Sequence, residues 1–349
     1  MNPYNITVVF IGLISLSTHA QTTSINEEKF IEVGEIEQWI TIKGANRSKP
    51  VILFLHGGPG STMSQYENNI YSDWEKDFTL INWDQRGAGR TFGQIAPIEL
   101  TINYIKDNPL TVEQMTDDGI ELSEYLIKYL QKQKIILIGT SWGSILGTKM
   151  ILKNPELFYA YLGHSQFVNL SENLDYAYQK VFEMAKNEND EESIQKLESL
   201  GKPPFDRAKN TWQFLRIVKK YERDNSIPPP DNWWKLAPEY DNEKYNRDRY
   251  NGDDYSFVNF VGDDKLGIKS MISNVDFRGN LEFKIPVYFI QGEQDVLTSK
   301  ELNQPYFEKI KAPHKEYFLL SGVGHGHNLS VVDTQFKIIK EYVLPLIKE

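Results

Sequence analysis

A glycine-flanked serine is the feature that most constrains how this chain folds. Gly139-Thr-Ser-Trp-Gly143 directly follows the apolar run 135–138, which is typical of a buried strand, and precedes a segment, 144–154, with the pattern of a helix. G-x-S-x-G between a strand and a helix permits a sharp, strained turn, because glycine lets the two elements pack closely and leaves the serine hydroxyl exposed. The motif therefore predicts a strand–turn–helix unit with Ser141 as a candidate nucleophile.

Segments with strand and helix patterns alternate on both sides of this motif. Apolar runs typical of buried strands lie at residues 50–56, 78–83, 160–164, 285–290 and 316–320, and helical periodicity at 111–130 and 331–348. Residues 35–43 alternate apolar and polar side chains as an edge hairpin strand would. This rhythm predicts an α/β fold with a mostly parallel central sheet and helices on both faces.

The residue composition and the pattern of apolar residues change between residues 168 and 282. That segment is rich in Asn, Asp, Lys, Tyr and Trp, with helical stretches at 173–186 and 212–223 and apparent interruptions at Pro228-Pro-Pro230 and Asn251-Gly-Asp-Asp254. It contains no visible run typical of a buried parallel strand. We therefore predict an α/β core formed by residues 21–167 and 283–349, with a helical cap inserted at 168–282.

Composition and the N-terminal residues bear on partners and location. The net charge of −10 argues against nucleic acid as a partner, and the absence of cysteine excludes a thiolate nucleophile and disulfides. Residues 1–20 contain an apolar stretch at 6–16 and end in Ala20, a small residue suited to cleavage before Gln21. This pattern predicts a signal peptide and an exported bacterial protein, periplasmic or secreted, without stable membrane insertion. The oligomeric state is left open.

A serine hydroxyl is a weak nucleophile at neutral pH, so Ser141 needs a general base and a carboxylate that orients the base. Asp295 follows the predicted strand 285–290, in the loop at the carboxyl end of that strand. Glu293 in the same loop is the alternative acid. We favour Asp295 because it lies deeper in the loop, beside the apolar Val296.

The candidate base lies in the next loop of this kind. His325 follows the predicted strand 316–320, and His327 is the alternative; we favour His325 because Gly322 and Gly324 build a sharp bend just ahead of it. Active sites of open α/β sheets lie at the carboxyl ends of strands, where all of these loops are expected. The order Ser, Asp, His along the chain is also the one associated with a G-x-S-x-G serine.

A glycine-rich loop supplies a third element. His56-Gly-Gly-Pro-Gly60 follows the predicted strand 50–56 and leaves backbone N–H groups free to face a developing oxyanion, with the N–H of Trp142 as the second donor. A phosphate-binding loop would require a G-x-x-x-x-G-K pattern, which is absent here. The six histidines show no metal-ligand spacing such as H-E-x-x-H, so we expect neither a metal nor a cofactor.

Three motifs together resemble the proline iminopeptidase family of α/β-hydrolases, which carries HGGPG, DQRGxGxS and GxSWGS. Here they read His56-Gly-Gly-Pro-Gly60, Asp84-Gln-Arg-Gly-Ala-Gly-Arg-Thr91 and Gly139-Thr-Ser-Trp-Gly-Ser144, and the resemblance covers residues 51–163 and 285–328. It implies an α/β-hydrolase fold and cleavage of an N-terminal residue, often proline, from peptides or small amides. The implied site residues are Ser141, Asp295 and His325 as catalytic residues and Gly58 and Trp142 as oxyanion donors. Asp84 and Arg86 are interpreted as ion-pair partners that hold their loop.

The sequence departs from the family in the cap. Members bind the free amine of the substrate through cap glutamates, one of them in a Trp-x-x-Trp-Glu context, and neither Trp212 nor Trp233 begins such a run. The acidic residues of this segment are interpreted as exposed positions on helix faces; they include Glu172, Glu183, Glu222 and Glu239. The catalytic residues thus carry over well from the family, whereas proline specificity carries over poorly.

Three hypotheses about function follow. The first is a serine hydrolase of the aminopeptidase type, acting through an acyl-enzyme on short peptides or aminoacyl amides after export. The second is an esterase or amidase for another small acyl substrate, which would use the same catalytic residues. The third is a binding protein of this fold that has lost turnover; it predicts the decay of catalytic positions, and none is visible in the sequence.

Overall fold

An eight-stranded sheet forms the centre of the protein. The computed structural model describes residues 23–347, and within them the strands are arranged in the order β1-β2-β4-β3-β5-β6-β7-β8. Their bounds are β1 Ile25–Val33, β2 Ile36–Gly44, β3 Val51–Leu55, β4 Thr79–Asp84, β5 Ile135–Thr140, β6 Phe158–His164, β7 Val287–Gly292 and β8 Lys315–Leu320. β2 is antiparallel to both β1 and β4. The six strands β3 to β8 all run parallel to one another.

Helices connect the parallel strands. In the described part of the chain they are α1 Glu67–Ile70, α2 Gly89–Ile95, α3 Ile102–Asp107, α4 Val112–Tyr129, α5 Trp142–Lys153, α6 Leu170–Glu188, α7 Glu191–Leu200, α8 Ala208–Asp224, α9 Glu243–Val261, α10 Lys300–Lys309 and α11 Leu329–Ile338. Local chemistry sets several of their ends. The Thr111 hydroxyl, for example, accepts the N–H of Gln114 and so caps α4 as a threonine at this position should.

β3 is apolar and buried along its whole length because helices cover both faces of the sheet. In β3, Leu53 and Leu55 belong to the apolar cluster under α4 and α5, whereas Ile52 and Phe54 belong to the cluster under α11. This alternation is the period of two that a strand imposes on its side chains. Since both clusters are continuous across the sheet, they hold the carboxyl ends of the strands in fixed relative positions.

Two local expectations from the sequence are wrong. β2 is not an edge strand, since β1 pairs along its outer side and itself forms the edge. Asn251-Gly-Asp-Asp254 does not interrupt the cap, because α9 runs through it. Gly252 serves close packing there: a β-carbon at this position would lie 3.0 Å from the carbonyl oxygen of Gly87 and 3.1 Å from Cβ of Phe92.

The segment between β6 and β7 holds α6 to α9. We call residues 168–282 the cap; its bounds stay a prediction. Helices α6, α7 and α8 share an apolar cluster of their own, which Val296 of the core joins. Tyr255 of α9 and residues such as Phe277 pack instead into the core cluster under α4 and α5, so this part of the segment is anchored to the sheet.

The predicted signal peptide, residues 1–20, lies outside the described residues, so export also stays a prediction. No helix within residues 23–347 is both long enough and apolar enough to cross a membrane.

Candidate active site

Ser141 lies at the turn between β5 and α5, at the carboxyl end of the sheet. Its backbone has φ 52° and ψ −116°, a conformation that is strained for a residue with a side chain. The turn is held by the Ser141 N–H, which donates to the carbonyl oxygen of His164 at 3.0 Å. α5 approaches β3 so closely that a β-carbon at Gly143 would overlap the carbonyl oxygen of Leu55. The predicted strand–turn–helix unit is therefore present, and its flanking glycine is a packing requirement.

Loops from three strands bring Ser141, His325 and Asp295 together. His325 Nε2 lies 2.8 Å from Ser141 Oγ, and His325 Nδ1 lies 3.2 and 3.1 Å from the two carboxylate oxygens of Asp295. Thr298 holds the carboxylate, since its N–H donates to Oδ1 at 2.8 Å and its hydroxyl donates to Oδ2 at 2.7 Å. This is the hydrogen-bonded chain that a serine nucleophile, its base and an orienting acid require.

Burial and mutual charge set the protonation of this chain. Asp295 is 3% exposed, and although burial by itself would raise the pKa of its carboxyl group, His325 and the Thr298 donors hold that pKa well below its usual range. Burial would lower the pKa of His325, but the Asp295 carboxylate outweighs this and raises it. Asp295 is therefore an anion that stabilises the charged form of the imidazole.

The alternative acid and base lie elsewhere. Glu293 is exposed and pairs with Lys300 at 3.3 Å, so its carboxylate does not contact His325. His327 Nε2 lies 3.5 Å from the hydroxyl of Thr140, and its ring contacts His164 edge-on with centroids 4.9 Å apart. Burial lowers the pKa of His327 to about 4, which makes it a neutral packing residue at physiological pH.

The glycine-rich loop after β3 lies beside Ser141. Gly58 has φ 111°, and a β-carbon there would lie 2.5 Å from the backbone nitrogens of Gly60 and Ser61, so the loop requires glycine. Within residues 23–347 the N–H groups of Gly58 and Trp142 have no hydrogen-bond acceptor. Both are thus free to bind an external oxygen atom, as oxyanion donors must be.

His56 and Gln85 brace this loop. His56 Nε2 accepts the N–H of Gln85 at 3.2 Å, and burial lowers the pKa of His56 to about 4, so the ring is neutral. The Gln85 side chain donates to the carbonyl oxygen of His56 at 3.2 Å and accepts the indole N–H of Trp142 at 2.8 Å. One glutamine therefore connects the glycine-rich loop to Trp142, the residue that follows Ser141.

Asp84 and Arg86 do hold their loop, but they do not pair with each other. Asp84 Oδ1 accepts the Ser64 hydroxyl at 2.6 Å, and Oδ2 accepts the N–H of Arg90 at 2.8 Å. The Arg86 guanidinium donates instead to Asp118 of α4, with Nε 2.7 Å from Oδ2. Burial raises the pKa of Asp84 to about 7. The sequence could not indicate Asp118 as the partner, since it lies far along the chain.

Glu222 is the residue that sequence reasoning misjudged. It is 7% exposed rather than on an open helix face, and its Oε1 accepts the N–H groups of Val296 and Leu297 at 2.8 and 3.2 Å. Its Oε2 has no hydrogen-bond partner in the described part of the chain. Burial, together with the nearby charge of Asp295, raises its pKa to about 7. A cap glutamate therefore lies directly beside Asp295 and its loop.

A signal for Glu222 was present in the sequence. Val218-Lys-Lys-Tyr-Glu222 has the spacing of Trp-x-x-Trp-Glu with valine and tyrosine in place of the two tryptophans. Both substitutes are buried in the cap cluster of α6 to α8. The two positions before Glu222 therefore keep the apolar character of the pattern. A search by residue class instead of residue identity would have found Glu222.

The family model described as alpha/beta hydrolase fold matches residues 50–329, a range that includes strands β3 to β8, the cap and all of the candidate residues. The chain belongs to the α/β-hydrolase family. The predicted fold class is thereby confirmed, and the glycine-rich loop, Ser141, Asp295 and His325 of this α/β-hydrolase all follow the carboxyl ends of its parallel strands.

Relatives and solved structures extend this result. The probable aminopeptidase YbaC of Bacillus subtilis is 26% identical over 86% of this chain and 91% of its own length, and a proline iminopeptidase of Flavobacterium johnsoniae is 23% identical over 91% and 95%. They confirm the resemblance to proline iminopeptidases.

Solved structures agree on the fold. The proline iminopeptidase of Mycobacterium smegmatis aligns with a TM-score of 0.62 at 16% identity, covering 92% of this chain and 98% of that chain. An epoxide hydrolase from Vigna radiata aligns with a TM-score of 0.51 at 21% identity, covering 91% and 98%. Because proteins with different activities share this fold, function has to be argued from the site.

Proposed function

We propose that this α/β-hydrolase is a serine aminopeptidase that releases N-terminal residues from short peptides through an acyl-enzyme. The observation that carries the proposal is the hydrogen-bonded chain from Ser141 Oγ through His325 to Asp295, with 2.8 Å at its reactive end. Such a chain activates a hydroxyl that would otherwise be a weak nucleophile.

In the proposed mechanism Ser141 attacks the scissile carbonyl carbon while His325 Nε2 takes the hydroxyl proton. The N–H groups of Gly58 and Trp142 bind the oxyanion, and Asp295 stabilises the imidazolium. His325 then gives the proton to the leaving amine, and the C–N bond breaks to leave an ester on Ser141. His325 then takes a proton from a water molecule as its oxygen attacks the ester carbonyl carbon. The bond from this carbon to Ser141 Oγ breaks, His325 returns the proton to Oγ, and the acid is released.

Glu222 supports the aminopeptidase form of this proposal. The family resemblance leads us to expect a cap glutamate that binds the substrate's free ammonium group, and Glu222 is an acid of the cap with an unpartnered oxygen beside the triad. An anionic carboxylate there would favour substrates with a free N-terminus over N-blocked ones. Proline itself as the preferred residue follows from the resemblance alone.

The test is hydrolysis of a matched panel by the purified protein. It compares proline and alanine p-nitroanilides with the same compounds N-acetylated, and adds p-nitrophenyl acetate. We expect turnover of the free-amine anilides, a KM raised at least about tenfold for them in Glu222→Gln, and no activity in Ser141→Ala.

The alternative outcomes are also decisive. Turnover of the ester and the blocked compounds alone would replace the aminopeptidase assignment with that of a general esterase or amidase. Wild-type rates in Ser141→Ala would contradict the serine mechanism itself, and a melting temperature unchanged by that substitution is the control for folding.

A further inference from the structure

The end of α8 contacts the loop that carries the catalytic acid. Glu222 Oε1 accepts the N–H groups of Val296 and Leu297, the two residues that directly follow Asp295. A carboxylate that accepts two backbone N–H groups holds that backbone strongly, because each is a charge-assisted hydrogen bond in a buried setting. The orientation of the Asp295 loop therefore depends on a residue of the cap.

The same end of α8 also contacts the loop that carries the catalytic base. A β-carbon on Gly324, the residue before His325, would lie 3.5 Å from Cβ of Glu222 and 2.8 Å from the hydroxyl oxygen of Ser226. The N–H of Ile227, just beyond the helix, donates to the carbonyl oxygen of Gly322 at 2.8 Å. Glu222 thus lies where the loop that carries Asp295 meets the loop that carries His325.

Charge connects Glu222 to His325 as well. Burial would lower the pKa of His325, Asp295 raises it most, and Glu222 raises it further, while Lys219, one turn earlier on α8, opposes them. Asp295 and His325 are in turn the charged groups that face Glu222 from the core. Removing the charge of Glu222 should therefore lower the pKa of His325.

We propose that Glu222 is a positioning residue for the triad, so that one carboxylate both binds the substrate's ammonium group and sets the orientation and basicity of His325. The ammonium part of this inference rests on the proposed function, whereas the positioning part does not. An ammonium ion bound to Glu222 offsets its charge, so His325 in the complex is deprotonated at lower pH than in the free protein. At pH values below the pKa of His325 in the free protein, substrates with a free amine are therefore favoured in the chemical step as well as in binding.

The test uses reactions that involve no amine. Phosphonylation of Ser141 by a fluorophosphonate and hydrolysis of p-nitrophenyl acetate are followed against pH in the wild type, in Glu222→Gln, and in the control Glu183→Gln, which changes an exposed glutamate of α6. We expect Glu222→Gln to lower both plateau rates about tenfold, because the two loops lose their anionic anchor. We also expect the substitution to shift the acid limb of each pH–rate profile, which reports the deprotonation of His325, down by about half a pH unit. Glu183→Gln should match the wild type.

Plateau rates and an acid limb that both equal those of the wild type would overturn the proposal, even if Glu222→Gln raises KM for free-amine anilides. A wild-type protein that hydrolyses the ester but no free-amine anilide would contradict the aminopeptidase assignment, and the fluorophosphonate profiles would still decide the positioning role.

If Glu222→Gln does not fold, as judged by circular dichroism, the wild type decides the question with pyrrolidine as the ammonium probe. Saturating pyrrolidinium should move the acid limb of phosphonylation to lower pH. An unmoved limb at a pyrrolidine concentration that inhibits hydrolysis of the free-amine anilides competitively would overturn the proposal, whereas pyrrolidine that does not inhibit would contradict the ammonium site.

Discussion

At the scale of single residues, burial and partners distinguish side chains that the sequence presents as equivalent. Asp295 and Glu293 share one loop, yet Asp295 is buried under Thr298 and His325 while Glu293 pairs with Lys300 at the surface. An exposed carboxylate is hydrated by water and holds an imidazole weakly, whereas a buried one with fixed donors has a single orientation. The difference in environment decides which acid can serve His325.

This difference yields a paired prediction. Asp295→Asn should lower kcat for the best panel substrate by about ten-thousandfold, because an amide cannot stabilise the imidazolium and favours the wrong tautomer. Glu293→Gln, the same chemical change two residues away, should keep the wild-type kcat. The measurement is steady-state kinetics at the pH optimum, and equal losses in the two variants would show that neither acid acts alone.

At the scale of elements, α9 connects the cap to the site. The Ser256 hydroxyl donates to the carbonyl oxygen of Gly87 at 2.7 Å, and the Phe260 ring contacts Trp142 edge-on with centroids 5.7 Å apart. The first contact needs α9 to pass close to the loop after β4, and this is possible because Gly252 has no side chain at the crossing. A glycine that disfavours a helix locally is thus required by packing between elements.

Gly252→Leu should therefore destabilise the protein by about 2 kcal/mol, because the added side chain overlaps Gly87 and Phe92. Asp254→Leu is the matched control, since it places the same side chain at an exposed position of α9. Denaturant unfolding measures both. An unchanged midpoint in Gly252→Leu would mean that α9 can move away without cost, and that its close packing is not needed for the fold.

At the scale of the whole molecule, one buried ion pair connects three distant parts of the chain. Arg86, in the loop after β4, donates to both carboxylate oxygens of Asp118 on α4 and also to the carbonyl oxygen of Gly34 in the β1–β2 turn, at 2.5 Å. Asp118 is 2% exposed. Removing a single partner from such a pair leaves an uncompensated charge, which costs far more than an exposed ion pair contributes.

Arg86→Met should accordingly destabilise the protein by about 3 kcal/mol at pH 8. Burial already raises the pKa of Asp118, and loss of Arg86 raises it further, so the folded state binds a proton more tightly than the unfolded state. The contribution of this proton to the free energy of unfolding increases as pH falls. The loss of stability in Arg86→Met relative to the wild type should therefore be smaller at pH 5. Unfolding curves at both pH values check this, and Arg86→Met/Asp118→Leu should recover part of the loss. A deficit that grows at pH 5 would contradict the argument.

Local pattern predicted much of this molecule. β3 was predicted to within a residue, and α4 with its Thr111 cap, because a buried strand, a helix stripe and a cap each depend on neighbouring residues. Gly252, by contrast, was misinterpreted because its packing partners lie more than a hundred residues away in the sequence. The distances place His325 and Asp295 in one hydrogen-bonded chain with Ser141, which is the arrangement predicted from loop position. Their catalytic roles stay a prediction.

The sequence by itself determined the order of the strands from β2 to β8, the strained serine turn and the loops at the strand ends, because short-range sterics and hydrophobic periodicity specify them. The tertiary structure alone decided which charges are buried and what they face. Asp118 is the partner of Arg86. Glu222 is buried between the loops of Asp295 and His325, whereas the sequence analysis expected it on an exposed helix face. The physical reason is that pKa, ion pairing and desolvation depend on distances across the fold, which one-dimensional spacing does not contain.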